Sequence, residues 1–284
     1  MGRLDPVGGA AIADALETIP GRDPYASGPG ITPAIQAAEW SVREGSEALR
    51  FAWNVDEQRA PVGAVFAVLE RWGALPSEVR ALEAALQGVH LQVGRDGDRA
   101  KLYVYGEGVA VVEAALACSP RSRFQEARVG VPRSGRGGLV ADFAALDLGA
   151  APRGGPPPIK HYFQLPHAQA LAHLRTLGAD PLVAWGESLP DDLSTPPGEF
   201  VVSERGQAGV LRDVTLHVKV DRAPERLAEL AGAQLASRLA DHFRAAARLG
   251  LRLRPTYVSR LWRPGEGLIG TGYYRLEGRA PGGA

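Results

Sequence analysis

Three stretches of this sequence decide its fold: Lys101-Leu-Tyr-Val-Tyr105, Ile159-Lys-His-Tyr-Phe-Gln164 and Thr215-Leu-His-Val-Lys-Val220. In each, apolar residues alternate with polar or aromatic ones, which is the side-chain period of a β-strand. The only lysines of the 284-residue chain lie in these stretches, at positions 101, 160 and 219, so that both intervals are 59 residues. The pattern predicts a repeated unit whose strands each present a cation on the same face.

The composition is that of a globular protein with a large core. Hydrophobic residues make up 45% of the chain, and 32 basic residues balance 32 acidic ones. A net charge of zero is untypical of nucleic-acid-binding domains, which are strongly basic. The single cysteine, Cys118, excludes an intrachain disulfide and a cysteine-based zinc site. No apolar run is long enough to span a membrane, so we expect a cytoplasmic protein without membrane or nucleic-acid partners.

Strands and helices alternate along the chain in a regular order. The patterns predict strands at Ala48–Val55, Val89–Val93, Lys101–Tyr105, Phe124–Val131, Leu139–Leu148, Ile159–Leu165, Leu182–Trp185, Glu199–Glu204, Val210–Val220, Leu253–Trp262 and Leu268–Glu277. They predict helices at Pro61–Trp72, Ser77–Leu86, Val109–Ala117, His167–Leu177 and Pro224–Leu249. We expect residues 1–284 to form one domain, with 1–30 as an N-terminal arm or cap and 278–284 as a flexible tail.

This order, helix–strand–strand–helix about five times over, indicates an α/β protein with an antiparallel sheet. About ten such strands can close into a barrel with the helices outside, where the apolar face of each strand meets the helices. The other face then lines the lumen. The inward set is Lys101, Tyr103, Tyr105, Lys160, Tyr162, Gln164, Thr215, His217 and Lys219, with Tyr273 and Arg275 on one side of the last strand. A lumen lined by cations and tyrosines is suited to a polar or anionic ligand.

Several common catalytic motifs are missing from the sequence. None of the three lysines lies in a Gly-Lys-Ser/Thr phosphate loop, and no Gly-x-Gly-x-x-Gly opens a helix after a strand. Gly-x-Ser-x-Gly and His-Glu-x-x-His do not occur either. Nucleotide-binding, serine-hydrolase and zinc-protease chemistry therefore have no support in the sequence.

The combined pattern resembles the ABBA-type prenyltransferases, and within them most closely the cyanobactin branch, which modifies ribosomally made peptides. The resemblance runs from Ala48 to Glu277. It is carried by Ala48–Asp56 with the following helix, Lys101–Tyr105, Lys160–Gln164, the hairpin Glu199–Val220 and the closing Gly272-Tyr-Tyr-Arg275. It implies a ten-stranded antiparallel barrel inside a ring of helices, and an enzyme that transfers a dimethylallyl or geranyl group from its diphosphate to an electron-rich acceptor.

The resemblance also implies roles for individual residues. Lys101, Lys160, Lys219 and Arg275 would hold the diphosphate, with Arg50 and His217 as further candidates. Tyr103, Tyr105, Tyr162 and Tyr273 would shield the allylic cation, because ring faces attract cations. The residues taken as catalytic on this basis are Glu47, Arg50, Tyr103 and Tyr162.

The acid that the family often places near the start of the first strand is not obvious here. Glu47 is the nearest acid, but strand alternation would turn it outward and place Arg50 inside. Either the strand begins after Glu47 or the acceptor is handled differently; Asp142 and Glu199 are other possible acids.

The acceptor and any cofactor also stay open at this stage. By resemblance, the acceptor is a side chain of a ribosomally made, cyclic peptide, with a small aromatic molecule as the alternative. Mg²⁺ could assist by neutralising the diphosphate, although no metal-ligand motif demands it and no organic cofactor is expected. An alternative function, of a different class, is binding of an anionic or amphipathic ligand by a non-catalytic α/β barrel.

Overall fold

A computed structural model describes residues 38–46, 48, 50–55, 61–72, 77–97, 99–117, 141–148, 158–190, 193, 200–207, 210–220, 226–248 and 251–279. The N-terminal arm 1–30, the acid candidates Glu47 and Glu199, Cys118 and the strand predicted at Phe124–Val131 lie outside these ranges. Of the flexible tail predicted at 278–284, the first two residues are described, and they belong to a strand that ends at Arg279.

Ten antiparallel strands form a closed barrel in which each strand pairs with its neighbours in sequence and the last strand pairs with the first. The strands are β1 Ala38–Arg43, β2 Arg50–Asn54, β3 Leu91–Asp96, β4 Arg99–Tyr105, β5 Phe143–Asp147, β6 Ile159–Leu165, β7 Phe200–Gln207, β8 Val210–Lys219, β9 Leu251–Trp262 and β10 Ile269–Arg279. The predicted antiparallel ten-stranded barrel is thus confirmed. Closure leaves no free strand edge in the sheet.

Helices pack against the outer face of the barrel. They are α1 Val62–Trp72, α2 Ser77–Arg80, α3 Glu107–Ala117, α4 His167–Thr176, α5 Asp180–Glu187, α6 Leu227–Ala231 and α7 Ala233–Arg248. On α1 the buried side chains Val65, Phe66 and Leu69 recur at helical spacing, so one stripe faces the sheet. None of the helices in the described part of the chain is long and apolar enough to cross a membrane.

Strand alternation separates the core from the lumen. On β4 the side chains of Leu102 and Val104 are fully buried in the hydrophobic core between sheet and helices. Lys101, Tyr103 and Tyr105, at the intervening positions, line the cavity inside the barrel. This is the two-faced strand that the alternation predicts.

Several elements differ from the sequence prediction. Strand β1 precedes Ala48–Val55, the first predicted strand. It is absent from the prediction although its residues Glu39, Ser41 and Arg43 alternate with apolar residues. The strand predicted at Leu182–Trp185 is wrong, because these residues belong to α5. A proline in the first turn starts this helix, and its apolar residues satisfy a buried helical stripe as well as they would a short strand.

The long helix predicted at Pro224–Leu249 is divided into α6 and α7. The break is at Gly232, whose φ of 75° lies in the left-handed region that residues with a Cβ rarely adopt. On α7 the buried residues Leu235 and Leu239 face the barrel, while the opposite side is charged.

The contact between α7 and β10 provides a test of the packing. A Cβ added at Gly272 would lie 2.5 Å from Cδ1 of the buried Leu239. We expect Gly272→Ala to lower the free energy of unfolding by about 1–3 kcal/mol, because the helix must shift. Urea unfolding followed by circular dichroism measures this. Gly267→Ala is the control, since nothing lies within 4 Å of its Cβ. Equal stability of the two variants would contradict the packing.

Candidate active site

The lumen of the barrel contains a cavity of about 260 Å³. The predicted inward residues that line it are Arg50, Lys101, Tyr103, Tyr105, Lys160, Tyr162, Gln164, Thr215, His217, Tyr273 and Arg275. The structure therefore brings together nearly all of the site predicted from the sequence, although these residues come from five different strands.

Cations and carboxylates alternate around one end of the lumen. Nε of Arg50 lies 2.9 Å from Oδ1 of Asp96, and Nζ of Lys101 lies 3.7 Å from Oδ2 of the same aspartate. Nζ of Lys101 is also 3.3 Å from Oδ1 of Asp147, whose Oδ2 is 3.0 Å from Nη1 of Arg205. Arg205 pairs in turn with Asp213 on the next strand. These residues form one continuous ion-pair network.

Two further basic residues bring the positive charge above the negative charge: Lys160, whose Nζ is 4.0 Å from Oδ1 of Asp213, and Arg43, whose charge acts on Arg50 and Asp96. The whole group, which we call the cation cluster, comprises the basic residues Arg43, Arg50, Lys101, Lys160 and Arg205 and the acidic residues Asp96, Asp147 and Asp213, all of which line the cavity. Nη1 of Arg50 is buried and has no hydrogen-bond partner among the described residues. A buried guanidinium nitrogen without a partner is costly unless a ligand completes it, so the cluster is suited to binding an anion.

Burial and pairing set the protonation states in the cluster. Burial alone would raise the pKa of Asp96, but Arg50 and Lys101 hold it well below its usual range. Burial lowers the pKa of Lys160 to about 7, against the opposing effect of Asp213 at 4.0 Å. Nζ of Lys160 also donates a hydrogen bond of 3.0 Å to Oγ1 of Thr215. The charge of Lys160 therefore changes near neutral pH.

Four aromatic rings stack in a row along one side of the lumen. His90 stacks on Tyr105 at 4.5 Å, Tyr105 on Phe143 at 4.8 Å, and Phe143 on Tyr162 at 4.3 Å between ring centroids. Both faces of Tyr105 are therefore covered, and its hydroxyl donates to Oε1 of Gln92 at 2.8 Å. The geometry gives Tyr105 a supporting position rather than a ring face open to a cation.

Tyr162, the last ring of this row, lines the cavity together with Tyr103, His217 and Tyr273. Tyr162 is tilted toward Tyr103 at 6.3 Å and toward His217 at 6.0 Å, and Nζ of Lys160 lies 5.6 Å from its centroid. Tyr273 lies 5.7 Å from His217. Burial raises the pKa of Tyr103 and of Tyr162, so both phenols are neutral. These rings form an apolar wall directly beside the cation cluster.

The opposite end of the lumen carries a separate ion pair. Glu39 faces Arg275 across β1 and β10, with 3.6 Å between Oε1 and Nε. Oγ1 of Thr256 donates to the same carboxylate at 2.7 Å. Glu39 and Arg43 are four residues apart on β1, about 13 Å along the strand. Arg275 is thus paired at the end of the lumen away from the cation cluster, whereas the resemblance places it among the diphosphate ligands.

Two further predicted diphosphate ligands need correction. Lys219 shares a strand face with His217 but does not line the cavity; it lies six residues, about 20 Å, along β8 from Asp213. His217 lines the cavity without adding positive charge. Burial, together with the charges of Lys160 and Arg50, holds its pKa well below the usual range and keeps the imidazole neutral.

Among the predicted acids, Asp142 has a structural role. Its Oδ2 accepts a hydrogen bond of 2.6 Å from the backbone N–H of Gln164. The acid at the start of the first strand is Glu39, which was missed because β1 was not predicted. Its signal was the alternation Glu-Trp-Ser-Val-Arg at 39–43.

Several other missed residues lie on predicted strands or directly beside one. They include Asp147 in β5, Arg205 one residue beyond the predicted end of β7, and Tyr257 in β9. Strand parity places all three inside the barrel. Their pairing follows from strand register, because Lys101 is opposite Asp147 and Arg205 is opposite Asp213.

The carboxylates of the cation cluster do not fit a resident metal ion. Asp96, Asp147 and Asp213 are each paired with arginine or lysine. Within the described ranges, no group of three or more histidine, cysteine, aspartate or glutamate side chains is arranged to hold a metal.

Several solved structures with the same architecture are prenyltransferases. PriB in a binary complex with product diphosphate is 17% identical, with a TM-score of 0.67 over 99% of this chain and 94% of that chain. 5-Dimethylallyl tryptophan synthase from Streptomyces coelicolor, in complex with DMASPP and Trp, is 20% identical, with a TM-score of 0.65 over 96% and 89%. The barrel has the ABBA prenyltransferase fold.

A more distant prenyltransferase fold is NotF in complex with brevianamide F and DMSPP. It is 13% identical, with a TM-score of 0.52 over 94% of this chain and 92% of that chain. No family model and no curated protein matches the sequence. These comparisons do not confirm the cyanobactin branch. The likeness therefore concerns the ABBA fold, and the function must be argued from the site.

The charge state of Lys160 provides a test of the cation cluster. We expect the affinity for inorganic pyrophosphate to fall as the pH rises above about 7, by up to about tenfold per pH unit, because the neutral amine no longer attracts the anion. Well below pH 7 the lysine is charged and its contribution is complete. Isothermal titration calorimetry between about pH 6 and pH 9 measures the curve.

Lys160→Arg is the matched control, since arginine stays charged over this range. Both proteins meet the same ionisation of pyrophosphate, so the difference between their curves isolates Lys160. Parallel curves would contradict the assignment of Lys160 to the anion site.

Proposed function

We propose that this protein transfers a dimethylallyl group from dimethylallyl diphosphate to an electron-rich aromatic ring. The observation that carries the proposal is the cation cluster lying directly against the neutral rings of Tyr103 and Tyr162 inside one closed lumen. Ionisation of an allylic diphosphate produces an anion and a carbocation side by side. The cavity has a cationic end for the first and an aromatic wall for the second.

The cation cluster supports departure of the diphosphate. As the C–O bond breaks, negative charge grows on the leaving oxygen, and preorganised positive charge lowers the barrier. Arg50, Lys101 and Lys160 supply it from fixed positions, since aspartates hold the first two and Thr215 holds the third. The same aspartates keep the net charge of the empty lumen low, which limits the cost of burying five cations.

The aromatic wall supports the allylic cation. Ring faces carry partial negative charge and attract cations, by about 2 kcal/mol or more when desolvated. Tyr103, Tyr162 and Tyr273 line the cavity, and Tyr257 packs on Tyr273 at 6.5 Å between ring centroids. The closed sheet also restricts water, which would capture the cation as an alcohol.

Glu39 is the residue we assign to the acceptor. Its carboxylate projects into the end of the lumen opposite the cation cluster, where Thr256 and Arg275 fix its position. A carboxylate there accepts a hydrogen bond from an N–H or O–H group of the acceptor. It orients the ring with its nucleophilic carbon toward the prenyl group and raises the electron density of the ring.

The direct test is a transfer assay. The protein is incubated with dimethylallyl diphosphate and L-tryptophan, brevianamide F or a tryptophan-containing cyclic peptide, with and without Mg²⁺, and products are identified by mass spectrometry. Addition of one dimethylallyl group to a free aromatic compound is the expected result. Geranyl diphosphate in parallel measures the preferred chain length.

Two other outcomes of this assay correspond to the alternatives. Prenylation of the cyclic peptide alone would favour the peptide acceptor that the sequence resemblance implies. Binding of dimethylallyl thiolodiphosphate without transfer to any acceptor would favour the non-catalytic barrel. A folded protein that neither binds the donor analogue nor transfers a prenyl group would contradict the proposal.

Lys101 and Lys219 form a matched pair for testing the donor site. We expect Lys101→Ala to weaken binding of dimethylallyl thiolodiphosphate by about tenfold or more, because it removes a buried charge from the anion site. Lys219→Ala also removes one positive charge, but at a position outside the cavity, and should change binding by less than about twofold. Calorimetric titration measures both. Equal effects would contradict the placement of the diphosphate.

Substitution of Glu39 tests the acceptor site separately. We expect Glu39→Gln to lower the rate of transfer by about 100-fold while leaving donor-analogue binding unchanged, since the neutral amide accepts a weaker hydrogen bond at the same position. Steady-state rates and calorimetry provide the two measurements. Loss of donor binding in this variant would place the diphosphate at the Glu39 end instead.

A further inference from the structure

One step of the proposed reaction still lacks a residue. After the ring attacks the prenyl cation, the carbon that forms the new bond carries a hydrogen that must leave as a proton to restore aromaticity. This hydrogen lies next to the prenyl group, within the aromatic wall. The proton acceptor must therefore reach the middle of the lumen, and Glu39 binds the acceptor at the far end.

We propose that His217 accepts this proton through Nδ1. The inference rests on the proposed function. His217 lies in the wall between Tyr162 and Tyr273, with ring centroids at 6.0 and 5.7 Å, so its imidazole borders the space assigned to the prenyl cation. Its Nε2 lies 3.1 Å from Oγ of the fully buried Ser203, which fixes the ring. No described residue forms a hydrogen bond with Nδ1.

A buried hydroxyl beside His217 also lacks a partner. Ser259 is opposite His217 in the register of β8 and β9 and lines the cavity. It is only 1% exposed, and within the described part of the chain its Oγ has no hydrogen-bond partner. An unsatisfied buried hydroxyl is costly, so a polar group of a ligand or a water is expected there. His217 and Ser259 thus border a polar site inside an otherwise aromatic wall.

The other bases of the lumen are less suited to this role. Asp96, Asp147 and Asp213 are paired with cations and lie where the leaving diphosphate collects. Ring stacking on Tyr105 holds His90 at the outer end of the aromatic row. The tyrosine phenols are neutral because burial raises their pKa.

The electrostatics keep His217 ready to receive a proton. Burial and the nearby Lys160, Arg50 and Arg43 hold its pKa low, so solvent does not protonate it. An arenium ion is a far stronger acid than an imidazolium, so a weakly basic imidazole is sufficient. The newly released diphosphate adds negative charge nearby, which stabilises the imidazolium as it forms.

The step is balanced in atoms and electrons. The donor C–O bond breaks and its electron pair leaves with the diphosphate. A π pair of the acceptor forms the new C–C bond, the C–H pair returns to the ring, and the proton moves to Nδ1 of His217. The imidazolium then passes the proton to the diphosphate or to solvent before the next turnover.

The test uses His217→Asn and ring-deuterated L-tryptophan as the acceptor, in competition with ordinary L-tryptophan. We expect transfer to fall by about 100-fold, the scale of a lost general base. The deuterium isotope effect should rise from near unity in the unchanged protein to a full primary effect, because proton loss becomes rate-limiting. Binding of dimethylallyl thiolodiphosphate should change by less than about threefold. A merely structural role would not alter the isotope effect.

The outcomes separate this inference from the proposed function. Transfer by His217→Asn with an unchanged isotope effect would overturn the role of His217 alone. Donor-analogue binding weakened by tenfold or more would make His217 a diphosphate ligand and overturn it also. If the unchanged protein prenylates neither L-tryptophan nor brevianamide F, the proposed function for free aromatic acceptors fails, and this inference with it. His217→Gln provides the same test should the asparagine variant not fold.

Discussion

Ion pairing inside the closed barrel is the interaction on which the rest of the site depends. Ten strands direct every second side chain into one narrow lumen, and the positions at one end carry arginine and lysine. Buried cations are tolerated only when carboxylates compensate them. Asp96, Asp147 and Asp213 provide that compensation, each opposite or adjacent to a basic residue. The remaining excess of positive charge makes the lumen a site for an anion.

The pairing also fixes the direction of the chemistry along the barrel. The cation cluster occupies one end, the aromatic wall the middle and the Glu39–Arg275 pair the other end. A donor with an anionic head and an apolar tail can enter this gradient in one orientation only. In the proposed reaction, an acceptor held by Glu39 meets the prenyl group between Tyr162 and Tyr273. Each layer corresponds to a set of strand positions two residues apart, so the reaction axis follows from strand register.

Much of this could be predicted from the sequence, since strand alternation is a local property. The parity of Lys101, Tyr103 and Tyr105 gave the inward face correctly, and the hairpin order gave the barrel. Alternation alone does not place an inward residue along the axis, which is why Lys219 and Arg275 were assigned to the diphosphate. Register with neighbouring strands determines depth, and register depends on contacts far apart in sequence.

The residues that the sequence prediction missed also depend on contacts far apart in the sequence. Glu39 and Arg43 lie on a six-residue strand whose partners are β2 and β10, the latter at the far end of the chain. The stacking that covers both faces of Tyr105 involves Phe143 from another hairpin. The orientation of an aromatic ring depends on such neighbours, so sequence could place the tyrosines inside but could not say which of them present a face.

The most direct test of the proposed site is a crystal structure with dimethylallyl thiolodiphosphate bound. We expect the diphosphate oxygens to lie among Arg50, Lys101 and Lys160, with the dimethylallyl group against Tyr103 and Tyr162. The aspartates should turn partly away from cations that the ligand now occupies. A diphosphate bound beside Arg275 and Glu39, or outside the barrel, would contradict the assignment of the cation cluster as the site where the reaction begins.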